Sequence, residues 1–358
     1  ATWWADSLDY YESQGIDADY ISIQNEPNWH PDYDGCGFDP IETTNFAGYN
    51  KAFESVWQEL AIRKGTAAMP KMLGPETISF NKLGEYIDNL IHPTHVDVYA
   101  HHYYQQNVGV DPDVLNLKMS DFNADYGYKP LFQTEYAFLD VNTNAPIIRK
   151  LNLARLMHNA LTIEEVSAYF YWALYWNGEQ GLIDIPDSSS YIITPEYYAF
   201  KHYSAFIEAE WRRLDATSSE GGIELSAYIS PDETQVTVVI VNDQTGAVNL
   251  DISFDDLLIS GGELYRSSDT LNCTNMGSFN PASVLEIPGE TITTLALTAV
   301  TNALPETPNI LMVYIDDLRP QTRSYGASQM ITPNLDQLAA DGYQFNRCLL
   351  YTSPSPRD

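Results

Sequence analysis

Residues 22–27 read Ser-Ile-Gln-Asn-Glu-Pro and place a glutamate directly after a short apolar strand. Residues 131–136, Leu-Phe-Gln-Thr-Glu-Tyr, repeat that arrangement farther along the chain. Around both stretches, strand-like and helix-like segments alternate with short connections, which is typical of parallel βα units. The carboxyl ends of such strands share one face, so Glu26 and Glu135 are predicted to face each other across a cleft.

Working outward from these stretches, the hydrophobic periodicity predicts five strands, each followed by a helix. The strands are predicted over 19–23, 71–75, 96–103, 130–135 and 167–174. The helices are predicted over 44–64, 82–91, 112–127, 145–164 and 195–209, after the end of a further helix at 3–15. A Gly-rich phosphate loop follows none of the strands, which disfavours a doubly wound sheet. Five units are too few to close a (β/α)8 barrel, so a partial barrel is predicted.

The hydrophobic pattern changes near residue 212, where helical spacing gives way to alternating apolar runs separated by turn clusters. This part predicts an antiparallel β-sandwich of roughly 90 residues. The predicted fold class is α/β, with about five βα units, the sandwich and a short α/β fragment at the carboxyl end. The predicted segments are a barrel portion over 1–210, the sandwich over 211–301, a linker over 302–307, a fragment over 308–350 and an unstructured tail over 351–358.

The composition excludes several classes of partner. The 358 residues include 49 Asp and Glu but only 18 Lys and Arg, giving a net charge of −31. Nucleic acids and anionic membranes are bound through Lys and Arg, so neither is expected as a partner. Apolar runs stay well short of the 18 or more residues that a membrane span needs. Cys36, Cys273 and Cys348 lie far apart, which indicates neither a zinc site nor a disulfide scaffold.

Two facing carboxyl groups are the requirement for glycoside hydrolysis, where one is protonated and the other ionised. A single Glu is usually a solvated surface residue, but both of these follow an apolar strand. The pattern alone leaves a catalytic pair and two surface carboxylates about equally supported.

Residues 22–27 and 133–135, with His101-His102-Tyr103, the Tyr-Phe-Tyr-Trp strand at 169–172 and the sandwich, resemble glycoside hydrolase family 30. The resemblance covers about residues 1–300. It implies a cofactor-free retaining hydrolase in which Glu26 is the general acid/base and Glu135 the nucleophile. It further implies that a polysaccharide is the substrate and that residues around the two glutamates bind it. From it we expect Asn25 to hydrogen-bond the sugar 2-hydroxyl, Tyr103 to hydrogen-bond the nucleophile and Trp172 to form the aromatic floor of the subsite. The other expected substrate-binding residues are Trp29, His101, Tyr175 and Trp176. Of His101 and His102, one is expected to line the cleft and the other to lie in the core.

The substrate expected from the resemblance is xylan. Arg residues that read glucuronate in the best-known branch are replaced by Tyr175 and Trp176, and residues 167–198 contain neither Arg nor Lys. Carboxylate recognition favours Arg, so obligatory glucuronate recognition is not expected. A β-1,6-glucanase or other family activity, and a non-catalytic carbohydrate-binding protein, are the alternatives. A secreted or periplasmic location is implied by the resemblance.

The family barrel has three βα units before the Asn-Glu-Pro strand, whereas here only the end of one helix precedes it. The amino terminus also shows neither a signal peptide nor Met, and it reads as an interior or processed position. The strand carrying Glu26 would then be an open edge. We therefore expect this polypeptide alone to be poorly soluble or inactive.

Residues 308–320 and 332–339 resemble the opening of a sulfatase of the iduronate-sulfatase type. The resemblance implies that Asp316 and Asp317, which end an apolar strand, match two Ca²⁺ ligands, with Ca²⁺ bound only if the segment were complete. The expected Cys/Ser-x-Pro-Ser-Arg nucleophile motif does not follow, because residues 352–357 have its composition in another order. A sulfatase acting on a sulfated glycan is therefore the least supported of the alternative functions, and residues 351–358 resemble an assembly join.

Overall fold

The computed structural model describes residues 1–31, 35–104, 108–138, 145–178, 180–255, 257–300 and 322–341. The chain forms two compact units, Ala1–Asn302 and Ala303–Asp358. The first unit contains a parallel sheet, an antiparallel sheet and six helices among its described residues.

The parallel sheet has the five strands that the sequence predicts, hydrogen-bonded in chain order. They are β1 (Tyr20–Ser22), β2 (Lys71–Thr77), β3 (Val98–His102), β4 (Leu131–Glu135) and β5 (Ala168–Tyr169). Within the described residues, β1 and β5 form the two edges of this sheet. The prediction of a partial barrel with about five βα units is confirmed.

The helices of the first unit lie between these strands and after β5. They are α1 (Thr2–Ser13), α2 (Tyr49–Lys64), α3 (Leu83–Asp88), α4 (Asn116–Tyr126), α5 (Pro146–Asn159) and α6 (Pro195–Ser204), with 3-10 turns at Pro93–His95 and Pro112–Leu115 and a π-helical turn at Ala160–Glu164. Helix α2 buries Tyr49, Phe53, Val56 and Leu60, whose spacing puts them on one face. It ends at Gly65, which takes the positive φ that stops a helix.

Strand β5 is shorter than the predicted strand over 167–174. Its last regular residue is Tyr169, although Phe170 still donates a backbone hydrogen bond to Gln133 and Trp172 donates one to Tyr136. The chain beyond β5 continues into a small sheet built from Tyr175–Trp176, Ile183–Asp187 and Ser190–Ile193. This irregular extension carries aromatic residues past the carboxyl end of the parallel sheet.

The antiparallel sheet has six strands in the order β6-β7-β8-β11-β9-β10. They are β6 (Arg212–Leu214), β7 (Ile223–Ile229), β8 (Gln235–Asn242), β9 (Leu258–Ser267), β10 (Thr274–Phe279) and β11 (Thr291–Val300). One face packs against a two-stranded ribbon of Val248–Leu250 and Leu285–Ile287. The other face contributes Val239, Val241 and Ile292 to the hydrophobic core shared with the helices. A short ribbon thus covers one face of the antiparallel sheet, and the β-sandwich over 211–301 stays a prediction.

The second unit contains a 3-10 turn at Arg323–Tyr325 and helix α7 (Pro333–Asp341), the helix that the sequence predicts. Asp336 accepts hydrogen bonds from the Thr332 hydroxyl and from the backbone of Ser324, which ties the turn to the helix start. Asp316, Asp317, Cys348, the predicted strand at 309–314 and the tail at 351–358 lie outside the described residues. Of the helices described, none combines the length and apolarity needed to cross a bilayer.

Candidate active site

Glu26 is held by a tight turn just beyond the carboxyl end of β1. Its backbone takes a φ of 48°, and its amide donates a 3.0 Å hydrogen bond to the carbonyl of Glu76. Its own carbonyl accepts a 2.9 Å hydrogen bond from the amide of Trp29. The first bond anchors the turn to the neighbouring strand and the second closes the turn itself, so the position of Glu26 is set by the backbone.

Glu135 is the last residue of β4, and the structure brings it together with Glu26. A carboxylate oxygen of each residue and a ring nitrogen of His102 all lie within 4.8 Å of one another. His102 bridges the pair, with Nδ1 2.9 Å from Glu26 Oε1 and Nε2 4.0 Å from Glu135 Oε2. Nε2 is buried and has no hydrogen-bond partner among the described residues. The imidazole therefore presents one polar atom toward the space beside Glu135.

The environment of Glu135 raises its pKa above the ordinary range. Burial is the largest cause, and the negative charges of Glu26 and Glu76 act in the same direction. The charge of His102 and a hydrogen bond from the Tyr104 hydroxyl oppose the rise without cancelling it. Glu135 is thus a carboxyl group that exchanges its proton at higher pH than a solvated glutamate.

The structure places His101 and Tyr103 away from the carboxylate pair and their neighbours His102 and Tyr104 beside it. Both histidine rings are fully buried, but His102 contacts the carboxylate of Glu26, whereas His101 contacts Glu164 in the core. The tyrosine that donates a hydrogen bond to Glu135 is Tyr104, whereas Tyr103 is also fully buried. Successive residues of an extended chain point to opposite faces, so an error of one position exchanges core and cleft. The pairing of β3 with β4 also shifts between His101 and His102, and a sequence pattern does not reveal that shift.

His101 and Tyr103 belong to a buried cluster behind the sheet. Both donate hydrogen bonds to Glu164, which lies in the π-helical turn after α5 and is itself fully buried. Buried charged groups of this kind are found paired. The cluster joins β3 to the end of α5, and its role is structural.

Glu76 is a site residue that the sequence analysis missed. It lies near the end of β2, takes a φ of 53°, and its charge raises the pKa of Glu135. The signal was present, because residues 71–76 also run from a strand into a glutamate. A third carboxylate therefore acts electrostatically on the pair at the carboxyl ends of the strands.

The predicted aromatic residues lie on the segments that follow β1 and β5. Trp172 and Trp176 contact each other, with ring centroids 4.6 Å apart, and Trp176 is 45% exposed. Tyr175 and Trp29 are also exposed, at 62% and 48%. The side chain of Asn25 is exposed beside Glu26. Exposed rings next to a polar centre are what a surface that binds sugar rings requires.

The catalytic-face cluster of Glu26, His102 and Glu135 offers two carboxylates and one imidazole, a donor set that a divalent cation accepts. Double displacement at a glycosidic bond needs only the two carboxyl groups. Glu26 and Glu135 therefore supply the two kinds of group that this chemistry requires.

Comparison with known proteins places the fold. No family model matches the sequence. Glucuronoxylanase XynC of Bacillus subtilis (strain 168) is 22% identical over 306 residues, covering 82% of this chain and 64% of the relative. The chain thus spans a little under two thirds of the length of that relative.

Two solved structures share the architecture. The family 30 subfamily 8 xylanase Xyn30A from Clostridium acetobutylicum gives a TM-score of 0.62 at 23% identity, covering 82% of this chain and 69% of that one. A conserved exported protein from Bacteroides fragilis gives a TM-score of 0.69 at 19% identity, covering 82% and 67%. The chain therefore has a mixed α/β fold, a five-stranded parallel sheet with an additional antiparallel sheet, similar to the barrel structures of glycoside hydrolase family 30.

Proposed function

We propose that the chain carries the catalytic pair of a retaining glycoside hydrolase. The observation that supports this most directly is the approach of the Glu26 and Glu135 carboxylate oxygens to within 4.8 Å. Retaining enzymes hold their carboxyl groups about 5–5.5 Å apart, whereas inverting enzymes leave about 6.5–9.5 Å for a water molecule. The short separation favours retention.

Glu135 is assigned as the nucleophile because the groups around it stabilise its ionised form. The Tyr104 hydroxyl donates to its carboxylate, and His102 lies 4.0 Å away. Both interactions favour a carboxylate over a neutral acid. The raised pKa of Glu135 acts against this assignment, because burial outweighs them. Glu135 is nevertheless assigned as the nucleophile, because the Tyr104 hydroxyl and the His102 ring both act on its carboxylate.

The two-step reaction follows from these roles. Glu135 forms a bond to the anomeric carbon while the glycosidic C–O bond breaks and Glu26 gives its proton to the leaving oxygen. In the second step Glu26 takes a proton from water, whose oxygen bonds the anomeric carbon and releases Glu135. Asn25, beside Glu26, is proposed to hold the 2-hydroxyl of the sugar, and Trp172 to provide the floor of the same subsite.

The proposed substrate is a β-linked polysaccharide, with xylan as the first choice. Exposed Tyr175 and Trp176 occupy the segment after β5, and residues 167–198 contain neither Arg nor Lys. An uncharged glycan suits this surface better than one read through a carboxylate. By the same reasoning we propose a secreted or periplasmic location, where such polymers are encountered. The sulfatase resemblance of residues 308–348 stays a prediction, with Ca²⁺ as the ligand that would test it.

The test combines turnover, product stereochemistry and covalent labelling in the full chain. Neutral xylan, glucuronoxylan and β-1,6-glucan are the substrates. Activity of this polypeptide alone is expected to be low, and the turnover that it does show should be hydrolysis of neutral xylan with retention of the anomeric configuration. Glu135→Gln is expected to lower kcat on the order of 10⁴-fold or more, since it removes the nucleophile. A 2-deoxy-2-fluoro glycoside should label Glu135, as detected by peptide mass spectrometry.

Glu208→Gln serves as the matched control, because Glu208 is exposed and lies outside the site. Full turnover in Glu135→Gln would refute the nucleophile assignment, and a label on Glu26 would exchange the two roles. Binding of xylan without turnover in the wild-type chain would favour the carbohydrate-binding alternative. Preferential cleavage of β-1,6-glucan would replace xylan as the substrate.

A further inference from the structure

A second cluster of ligating side chains lies away from the catalytic face. Glu54 is on α2, while His92 directly precedes and His95 ends the Pro93–His95 turn before β3. One carboxylate oxygen of Glu54 and one ring nitrogen of each histidine lie within 4.8 Å of one another. The histidines come before the amino end of β3, whereas Glu26 and Glu135 follow the carboxyl ends of their strands. The proposed catalysis does not use these residues.

We propose that Glu54, His92 and His95 form a Zn²⁺ site. Both rings direct Nδ1 at the same oxygen, Glu54 Oε2, from 3.0 Å for His92 and 2.9 Å for His95. Tetrahedral zinc with bonds of about 2.0–2.1 Å holds neighbouring ligand atoms about 3.3 Å apart. The two distances from Glu54 Oε2 to the histidine nitrogens are therefore within a few tenths of an ångström of the spacing that zinc imposes.

The three side chains are held in place by their surroundings, as ligands of a metal site must be. The ring of His95 stacks on Trp57 with centroids 3.4 Å apart and an interplanar angle of 3°. The side-chain amide of Gln58 donates a 2.7 Å hydrogen bond to Glu54 Oε1, the oxygen that the histidines leave free. The His95 amide also bonds the His92 carbonyl at 2.9 Å, which fixes the spacing of the two rings.

The charge state of the site suits a cation. The Glu54 side chain is only 9% exposed, and its carboxylate faces the Gln58 amide and the two histidine rings. Glu54 therefore presents a sheltered negative charge between two imidazoles. The net charge of −31 also concentrates cations near the chain.

Two imidazoles and one carboxylate form the protein ligand set of His₂Glu zinc sites, which keep a fourth position open. Here the fourth position has solvent access, since the His92 side chain is 54% exposed. Imidazole ligands favour zinc and later transition metals over Mg²⁺ and Ca²⁺, which prefer oxygen. The bound ion would connect α2 to the turn before β3.

The test is zinc binding by the full chain after removal of metal by a chelator, followed by isothermal titration calorimetry and metal analysis. We expect one Zn²⁺ per chain, a rise of several degrees in Tm with zinc, and the visible absorption of tetrahedral Co²⁺ when cobalt replaces it. His92→Ala should weaken zinc binding by at least about tenfold, and Glu54→Gln by more. His92 is exposed, so its replacement preserves the fold.

His30→Ala is the matched control, because His30 is an exposed histidine outside the cluster, and it should bind zinc as the wild type does. Failure of the wild-type chain to bind micromolar Zn²⁺ would overturn the proposal. Zinc binding that survives both Glu54→Gln and His92→Ala would overturn it as well. Loss of the bound zinc in Glu135→Gln would place the ion in the catalytic cleft instead.

Discussion

At the scale of single residues, the adjacent tyrosines 103 and 104 act in different places, one in the core and the other at the carboxylate pair. The Tyr103 hydroxyl donates to Glu164 inside the core, and the Tyr104 hydroxyl donates to Glu135 at the catalytic pair. Burial raises the pKa of both hydroxyls far above the usual value, so both stay protonated as donors. Removing each hydroxyl should therefore affect a different property of the protein.

Tyr104→Phe should move the acid limb of kcat/KM to higher pH. Glu135 must be ionised to attack, so activity is present above its pKa and lost as pH falls through it. The Tyr104 hydrogen bond lowers that pKa, which burial raises, so its removal leaves the carboxyl protonated at higher pH. A pH profile of kcat/KM measures the shift. The raised pKa of Glu135 also affects stability. Its contribution to the free energy of unfolding is favourable at low pH and is lost as pH rises through the pKa of the folded state.

Tyr103→Phe is the matched control. It should leave the acid limb unchanged but lower the free energy of unfolding by about 1–3 kcal/mol, because a buried carboxylate loses a donor. An acid limb that moves in Tyr103→Phe and stays in Tyr104→Phe would return the assignment to the position that the sequence suggested.

At the scale of elements, periodicity predicted the architecture and missed the local register. The alternation of strands and helices in residues 1–210 predicted all five parallel strands and the helices between them. It did not reveal the β3 register shift at His101 and His102 or the early end of β5 at Tyr169. These features depend on hydrogen bonds between segments far apart in sequence, which a local pattern does not contain. The predicted pair of glutamates was found together because strand ends, unlike registers, can be read locally.

Helices α5 and α6 are joined by a buried ion pair whose disruption should be costly. The Arg149 guanidinium bonds both oxygens of Glu196, at 2.6 and 2.7 Å, and both residues are buried. Arg149→Met should lower the free energy of unfolding by about 3–5 kcal/mol, because it leaves a buried carboxylate without its main partner. Denaturation by urea measures the loss.

The double variant Arg149→Met/Glu196→Leu should be less destabilised than Arg149→Met alone, since neither charge then stays buried. Lys51→Met is the control, because Lys51 pairs with Glu42 on the surface and should cost less than about 1 kcal/mol. Equal losses in the single and double variants would show that the pair is not the reason for the cost.

At the scale of the whole molecule, charge dominates the behaviour of the chain in solution. Asp and Glu number 49 against 18 Lys and Arg, so 31 acidic groups have no basic counterpart even if every cation is paired. Several cations already serve more than one acid, as Arg63 does with Asp6, Asp9 and Glu59. The composition shows this excess directly, whereas the clustering of Glu26, Glu76 and Glu135 required the fold.

Salt should therefore stabilise the protein. Screening shortens the range of charge repulsion from about 30 Å at 0.01 M to about 10 Å at 0.1 M ionic strength. Repulsion among acidic groups acts against the compact state, so Tm should rise with NaCl, mostly below about 0.2 M. Thermal unfolding followed by circular dichroism measures the rise. A Tm that is constant or falls over this range would show that the surface ion pairs outweigh the repulsion.

The left-handed backbone of Glu26 sets stability and catalysis against each other in evolution. A non-glycine residue at a φ of 48° costs about 1–2 kcal/mol, and glycine would relieve that cost. Glycine would also remove the carboxyl group on which the proposed reaction depends. A population selected for heat resistance alone would drift toward glycine at this position and lose turnover. A population selected on glycan as its carbon source would keep the glutamate and, with it, the lower stability of the folded state.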